Sequence, residues 1–183
     1  ASALLLLGKE EAAREVLIWV EEIIRRNRKV LPFYLSNYLI ARFQFELHQL
    51  KRSPRSGNGD TFRKQKSAAW RSGKLTLKNV ANCAAFRTEA ENLMGTCCWL
   101  LGKRRRARIW WGRSIKSGKE LGALPELART YAEIGKLCAR EKGSKSRVSG
   151  LTPDQCHEKA RVIFTDLQLD WDLAQLGQVT GQD

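Results

Sequence analysis

Five cysteines, two histidines and a dense set of lysines and arginines are the residues of this chain that can do chemistry. The cysteines are Cys83, Cys97, Cys98, Cys138 and Cys156. Their number is odd, and no two stand at Cys-x-x-Cys spacing. Buried, reduced thiols fit that pattern better than a disulfide framework or a zinc site, and they point to a cytoplasmic location. A vicinal redox pair at Cys97 and Cys98 is the alternative. His48 and His157 are isolated, and only Cys156 stands beside one of them. Catalysis needs a nucleophile beside a base, or carboxylates converging in a cleft. Here Asp154, Asp170 and Asp172 read as helix-start residues, where the helix dipole favours negative charge. No Gly-x-x-x-x-Gly-Lys-Ser/Thr loop occurs. The expectation is a chain with no catalytic residue, no metal and no cofactor.

The cations are the larger signal. Lys and Arg total 33 against 19 Asp and Glu, a net charge of +14 over 183 residues. The excess is local. Residues 51–80 hold nine basic side chains and one acidic, and residues 103–119 hold eight and none. Residues 153–183 reverse the sign, with two basic and six acidic. No apolar run approaches the ~20 residues that a helix needs to span a bilayer.

The elements that position these residues read as helices nearly throughout. Ala12, Ala13, Val16, Leu17, Val20, Ile23 and Ile24 form one amphipathic stripe. Pro32 opens a second helix with Leu35, Leu39, Phe43 and Leu47 on its inner face. A loop spans 51–60, Asp60 or Thr61 caps the next helix to about Asn82, and Gly73 marks a kink in it. A helix over about 84–101 buries Ala90, Leu93, Met94, Cys97 and Leu101, and Gly102 ends it. The next, over about 103–121, packs through Ala107, Trp110, Trp111, Ser114, Ile115 and Gly118, and Gly122 closes it. Trp70 belongs with Trp110 and Trp111 as core rather than as a stacking platform for bases. Pro125 opens a helix to about Arg140 carrying Ala128, Tyr131, Ile134, Gly135 and Cys138. A polar loop covers 141–150. Thr152, Pro153 and Gln155 form a capping box for a last long helix that buries Ala160, Ile163, Phe164 and Leu167. Residues 170–173 read as one more turn, with Trp171 and Leu173 covering the end of the core, and the tail frays. No strand is expected.

Helices in series call for a search for repeats. Met94, Gly95 and Cys98 recur forty residues later as Ile134, Gly135 and Cys138. Gly102, Lys103, Ala107 and Trp111 echo Gly8, Lys9, Ala13 and Leu17, and Ala160 with Phe164 repeats the small-to-bulky spacing. Small residues let two helices approach, and the bulky one a turn later fills the groove between them. Met94, Gly95, Cys98, Gly102, Ala107, Trp111 and Ser114 match in order the pattern of the tetratricopeptide repeat (TPR), which the chain resembles. It departs from that pattern in its forty-residue spacing, in Cys at the aromatic position, and in Lys119 where Pro is usual. Residues 84–176, and 95–136 above all, are similar to the long-repeat TPR-like regions of large bacterial signalling proteins, where they follow class III nucleotide cyclase or kinase and AAA-type ATPase domains.

The resemblance implies an all-α fold of antiparallel hairpins stacked as a right-handed superhelix. Its units would be a leftover helix of a truncated repeat (1–31), hairpins at 32–82 and 83–122, a third hairpin with a C-terminal cap at 123–176, and a frayed tail at 177–183. The chain then reads as an excised, non-catalytic regulatory or scaffolding module that binds a partner protein or a neighbouring domain, and whose uncovered N-terminal helix favours self-association. By repeat position, Glu89, Asn92, Thr96 and Trp99 face the concave groove with Arg129, Lys136 and Arg140. Second helices line the convex side, where Arg63, Lys64, Lys66, Arg71, Lys74 and Lys78 meet Lys103, Arg104, Arg105, Arg106, Arg108, Arg113 and Lys116 in one basic face. That face is either solvated or a dock for an acidic partner. Nucleic acid or another polyanion, and a small-ligand sensor controlling an attached enzyme, are the other classes left open.

Overall fold

The computed structural model describes residues 1–27, 29–53, 59–139 and 147–177. Among these, nine α-helices and one 3-10 turn account for the regular structure. They are α1 (Ser2–Leu6), α2 (Glu10–Arg26), α3 (Pro32–Arg52), α4 (Gly59–Val80), α5 (Arg87–Leu100), α6 (Arg104–Leu121), α7 (Leu124–Cys138), α8 (Pro153–Asp166) and α9 (Asp170–Gly177), with the 3-10 turn at Ala84–Phe86. No strand occurs among the described residues; Val148 and Leu151 form an isolated bridge.

Local sequence sets most boundaries. Gly8, Gly102 and Gly122 adopt positive φ of 71°, 73° and 64°, a conformation that costs glycine little, and each ends a helix there. Pro32 and Pro125 stand in the first turns of α3 and α7, where a missing N–H does no harm. Thr152 and Gln155 form the reciprocal capping box at α8, with bonds of 3.2 and 2.9 Å.

The helices pack in pairs: α3 with α4, α5 with α6, and α7 with α8. Between pairs, α4 meets α5 and α6 meets α7, while the first helices α3, α5 and α7 touch in series. The main core runs through the three pairs and includes Phe43, Leu47, Met94, Cys97, Trp111, Tyr131, Ile134 and Phe164. A smaller cluster of Ala13, Leu17 and Phe45 joins α2 to α3. Small residues allow the close approaches. Gly95 lies against Trp111, and Gly73 lies against the Phe43 ring. Two hydroxyls that enter the core are paired. The Ser114 and Thr130 hydroxyls stand 2.8 Å apart and reach the carbonyls of Thr88 and Glu126.

Several placements differ from the reading of the sequence. The N-terminal segment is two helices, because Gly8 breaks it. Val148, in the polar loop, is buried at 1% exposure. Leu167 lies at the C-cap of α8 and is 38% exposed. The C-terminal turn is a longer helix, α9, so Leu176 (6% exposed) reaches the core while Trp171 stays 48% exposed. Trp70 and Trp110 are half-buried at the core's edge, and only Trp111 is fully inside. Residues 178–183 and most of the loop at 141–150 lie outside the described residues.

Candidate functional site

One cleft of about 630 Å³ gathers the first helix of every pair. Gln44, Leu47, His48 and Lys51 come from α3. Glu89, Asn92, Leu93 and Thr96 come from α5, and Arg129, Ala132, Glu133 and Lys136 from α7. Their spacing of three and four residues puts each set on one helical face. The ends are closed by Leu5 and Leu6 of α1 and by Trp171, Asp172, Gln175 and Leu176 of α9, and α8 adds His157 and Phe164.

Polar rungs tie the walls together. Gln44 Nε2 donates to Glu89 Oε1 at 2.8 Å, joining α3 to α5. Thr96 Oγ1 and Lys51 Nζ both donate to Glu133 Oε1 at 3.3 Å, joining α5 and α3 to α7. Arg129 forks onto Asp172, with Nε to Oδ1 at 2.9 Å and Nη2 to Oδ2 at 3.1 Å, joining α7 to α9. The pair is bidentate, with Asp172 9% exposed and the Arg129 side chain 48% exposed. Its hydrogen bonds raise the Arg129 pKa further above its ordinary value. Burial pushes the Glu89 carboxyl above its ordinary range, and the charge of Glu126 adds to the effect; Arg129 and the Gln44 hydrogen bond oppose it. The cleft therefore offers an apolar floor, fixed polar edges and charges of both signs.

Five of the seven groove residues read from the repeat thus share this cleft: Glu89, Asn92, Thr96, Arg129 and Lys136. Trp99 does not. It is 6% exposed, its ring lies 5.4 Å from that of Trp111, and Arg104 covers it at 3.6 Å. There the ring is buried and makes a tilted aromatic contact and a cation–π contact. Arg140 lies outside the described residues. Gln44, Lys51, Glu133 and Asp172 are cleft residues that the sequence reading did not assign to the groove, although Asp172 does stand in the first turn of α9 as read. For Asp172, its acidic position one turn before an apolar Leu176 was the available signal.

On the opposite side, Arg63, Lys64, Lys66, Arg71, Lys74 and Lys78 of α4 are exposed, as are Arg105, Arg106, Arg113 and Lys116 of α6. Lys103 sits 4.0 Å above the Trp70 ring, which Lys74 also approaches at 5.9 Å, so the start of α6 abuts the middle of α4. Arg113 covers Trp110 at 4.6 Å. Lys103, Arg104 and Arg108 are half-buried. Arg104 also donates to the Trp99 carbonyl at 2.9 Å, which makes it a fastening between α5 and α6. Lys116 pairs with Glu120 at 3.7 Å.

Four cysteines are buried and Cys83 is half-buried, all as free thiols. Burial pushes Cys97 up to about 12 and Cys156 up to about 11, and raises Cys98 as well. A thiol held neutral is a poor nucleophile and a poor redox centre. Among the described residues, no three His, Cys, Asp or Glu side chains gather as a metal site, and no helix is long and apolar enough to cross a membrane.

The fold and the cleft together define an all-helical protein of paired helices. No protein-family model, curated protein or solved structure matches the chain.

Proposed function

We propose that this chain is a TPR-like, right-handed helical array that works without catalysis, as a protein-binding or regulatory scaffold. It holds a segment of a partner protein, or of a neighbouring domain, in the cleft between its first helices. The observation that supports this reading is the cleft itself: α3, α5 and α7 each contribute side chains at helical spacing to one wall, and α1 and α9 close its ends. Concave surfaces of stacked helical hairpins are where such arrays bind. The resemblance to repeat regions of large bacterial signalling proteins supports a role inside a longer cytoplasmic signalling chain.

The test is a phage-displayed peptide selection on the purified protein, followed by affinities for variants. Ala132→Trp fills the cleft, and Lys78→Glu with Arg106→Glu alters only the opposite side. Binding lost in the first and kept in the second supports the reading. Binding lost only in the second moves the site to the basic face. That outcome favours the second reading, an acidic-partner or polyanion dock, for which the carboxylate-poor outer stripes of α4 and α6 speak. Phosphate contacts would then appear as a steep fall of affinity with salt. A small-ligand sensor is also compatible with the volume of the cleft.

A further inference from the structure

The C-terminal end of the cleft is walled by a short helix that is held by few anchors. α9 has eight residues, too few to be stable alone. Three side chains fix it. Leu176 is buried in the core, Leu173 is half-buried against it, and Asp172 is clasped by Arg129. The joint to α8 is narrow. It turns at Gln168, which takes φ of 54°, a conformation that non-glycine residues seldom adopt. Arg129 sits beside Glu126 at 3.9 Å and feels Glu89, so its surroundings are arranged for a cation that meets carboxylates. Opening the pair gives up two charge-assisted hydrogen bonds on Arg129, and a replacement carboxylate restores them.

We propose that α9 is a built-in ligand of the cleft, which the partner displaces with an acidic amphipathic helix. That helix lays an Asp or Glu on Arg129 and puts apolar side chains one and four residues later into the sites of Leu173 and Leu176. The spacing follows from α9, since residues four apart share a helical face. The proposal rests on the cleft being the partner's site and adds what the partner must look like.

The experiment uses the full chain and a labelled peptide of residues 167–177, followed by fluorescence anisotropy. The open form is the double variant Asp172→Ala with Leu176→Ala. The peptide is expected to bind it at least about tenfold more tightly than it binds the wild type, whose own α9 competes. A peptide with Asn at its Asp172 position is expected to lose about tenfold on the open form, and Arg129→Ala added to that form should erase the difference. If the double variant lacks the wild-type circular dichroism, Asp172→Asn in the full chain decides instead. Its amides at 169–177 should exchange faster than in the wild type while those of α7 are unchanged, and its peptide affinity should rise. Equal affinity for closed and open chains, indifference to the Asn peptide, or no binding to a folded open chain overturns the proposal. If cleft-dependent peptides are still found by selection, only this inference falls and the binding site stands.

Discussion

A methyl group on Gly95 would stand 2.4 Å from Cδ1 of Trp111 and 2.5 Å from its Nε1. Trp111 is fully buried and packed at a tilt against Trp99, so the ring has no room to retreat. Gly95→Ala is therefore expected to destabilise the fold by about 1–3 kcal/mol, which outweighs the roughly 1 kcal/mol that alanine gains over glycine within a helix. Gly112 in α6 supplies the control. A methyl there meets only the Ser149 hydroxyl, at 3.2 Å. Gly112→Ala should be neutral or stabilising by up to about 1 kcal/mol. Urea unfolding of both variants checks the pair. Equal effects would mean that the Gly95 contact is not what sets the spacing of α5 and α6.

Arg104 and Arg105 are neighbours in sequence with different work to do. Arg104 lies on the Trp99 ring and ties off the Trp99 carbonyl, whereas Arg105 is exposed. Arg104→Ala should cost about 1–2 kcal/mol of stability, from one charge-assisted hydrogen bond and one cation–π contact. Arg105→Ala should fall within about 0.5 kcal/mol of wild type. Thermal melts of the two variants decide. Matching losses would return Arg104 to the solvated face.

Much of this architecture was legible in the sequence, for identifiable reasons. Helical periodicity, the glycine stops at Gly102 and Gly122 and the Thr152 cap are local, and local physics wrote them into short stretches. The alignment of Gly95 with Ala107 and Trp111 was legible because a close helix contact needs a small residue opposite a large one. The repeat position that the resemblance implies also placed Glu89, Asn92 and Thr96 on one side of α5, where they line the cleft. It failed at Trp99, one turn further, where contacts with Trp111 and Arg104 hold the ring out of the cleft. The reading of 141–150 as a polar loop did not anticipate that Val148 lies in the core. The pairing of Arg129 with Asp172 spans 43 residues, and no local pattern announces it.

The buried thiols give a counting test. At pH 8 a thiol reagent should modify about one cysteine per native chain, namely Cys83, and all five after denaturation, because the pKa values raised at Cys97, Cys98 and Cys156 and the burial of Cys138 suppress attack. Fast labelling of Cys97 or Cys98 in the folded protein would revive the vicinal redox pair.

Ile18, Trp19 and Ile23 of α2 are 56%, 64% and 40% exposed, and Leu31, Phe33 and Tyr34 lie exposed where α3 begins. Apolar clusters of this kind mark association surfaces. Light scattering of the wild type should show a mass that rises with concentration, and Trp19→Glu with Ile23→Glu should hold the chain at the monomer mass. A concentration-independent monomer in the wild type removes self-association from the reading.

Glu89 and Glu10 should give stability opposite dependences on pH. Glu10 is held below its ordinary 4.5 by its hydrogen bond from Gln49 and by the charges of Arg52, His48 and Arg14. Its contribution is present above 4.5 and lost as pH falls through the folded value. Glu89 lies above 4.5 in the fold, chiefly through burial. The folded chain then binds its proton more tightly than the unfolded chain does, so that contribution is full below 4.5 and lost as pH rises through the folded value. Glu89→Gln removes the charge and keeps an oxygen for the Gln44 amide. It should leave the urea midpoint unchanged at pH 4 and raise it at pH 7.5. A midpoint unchanged at both values would mean that the Glu89 carboxylate is solvated in the cleft, and the rung between α3 and α5 would then owe nothing to its burial.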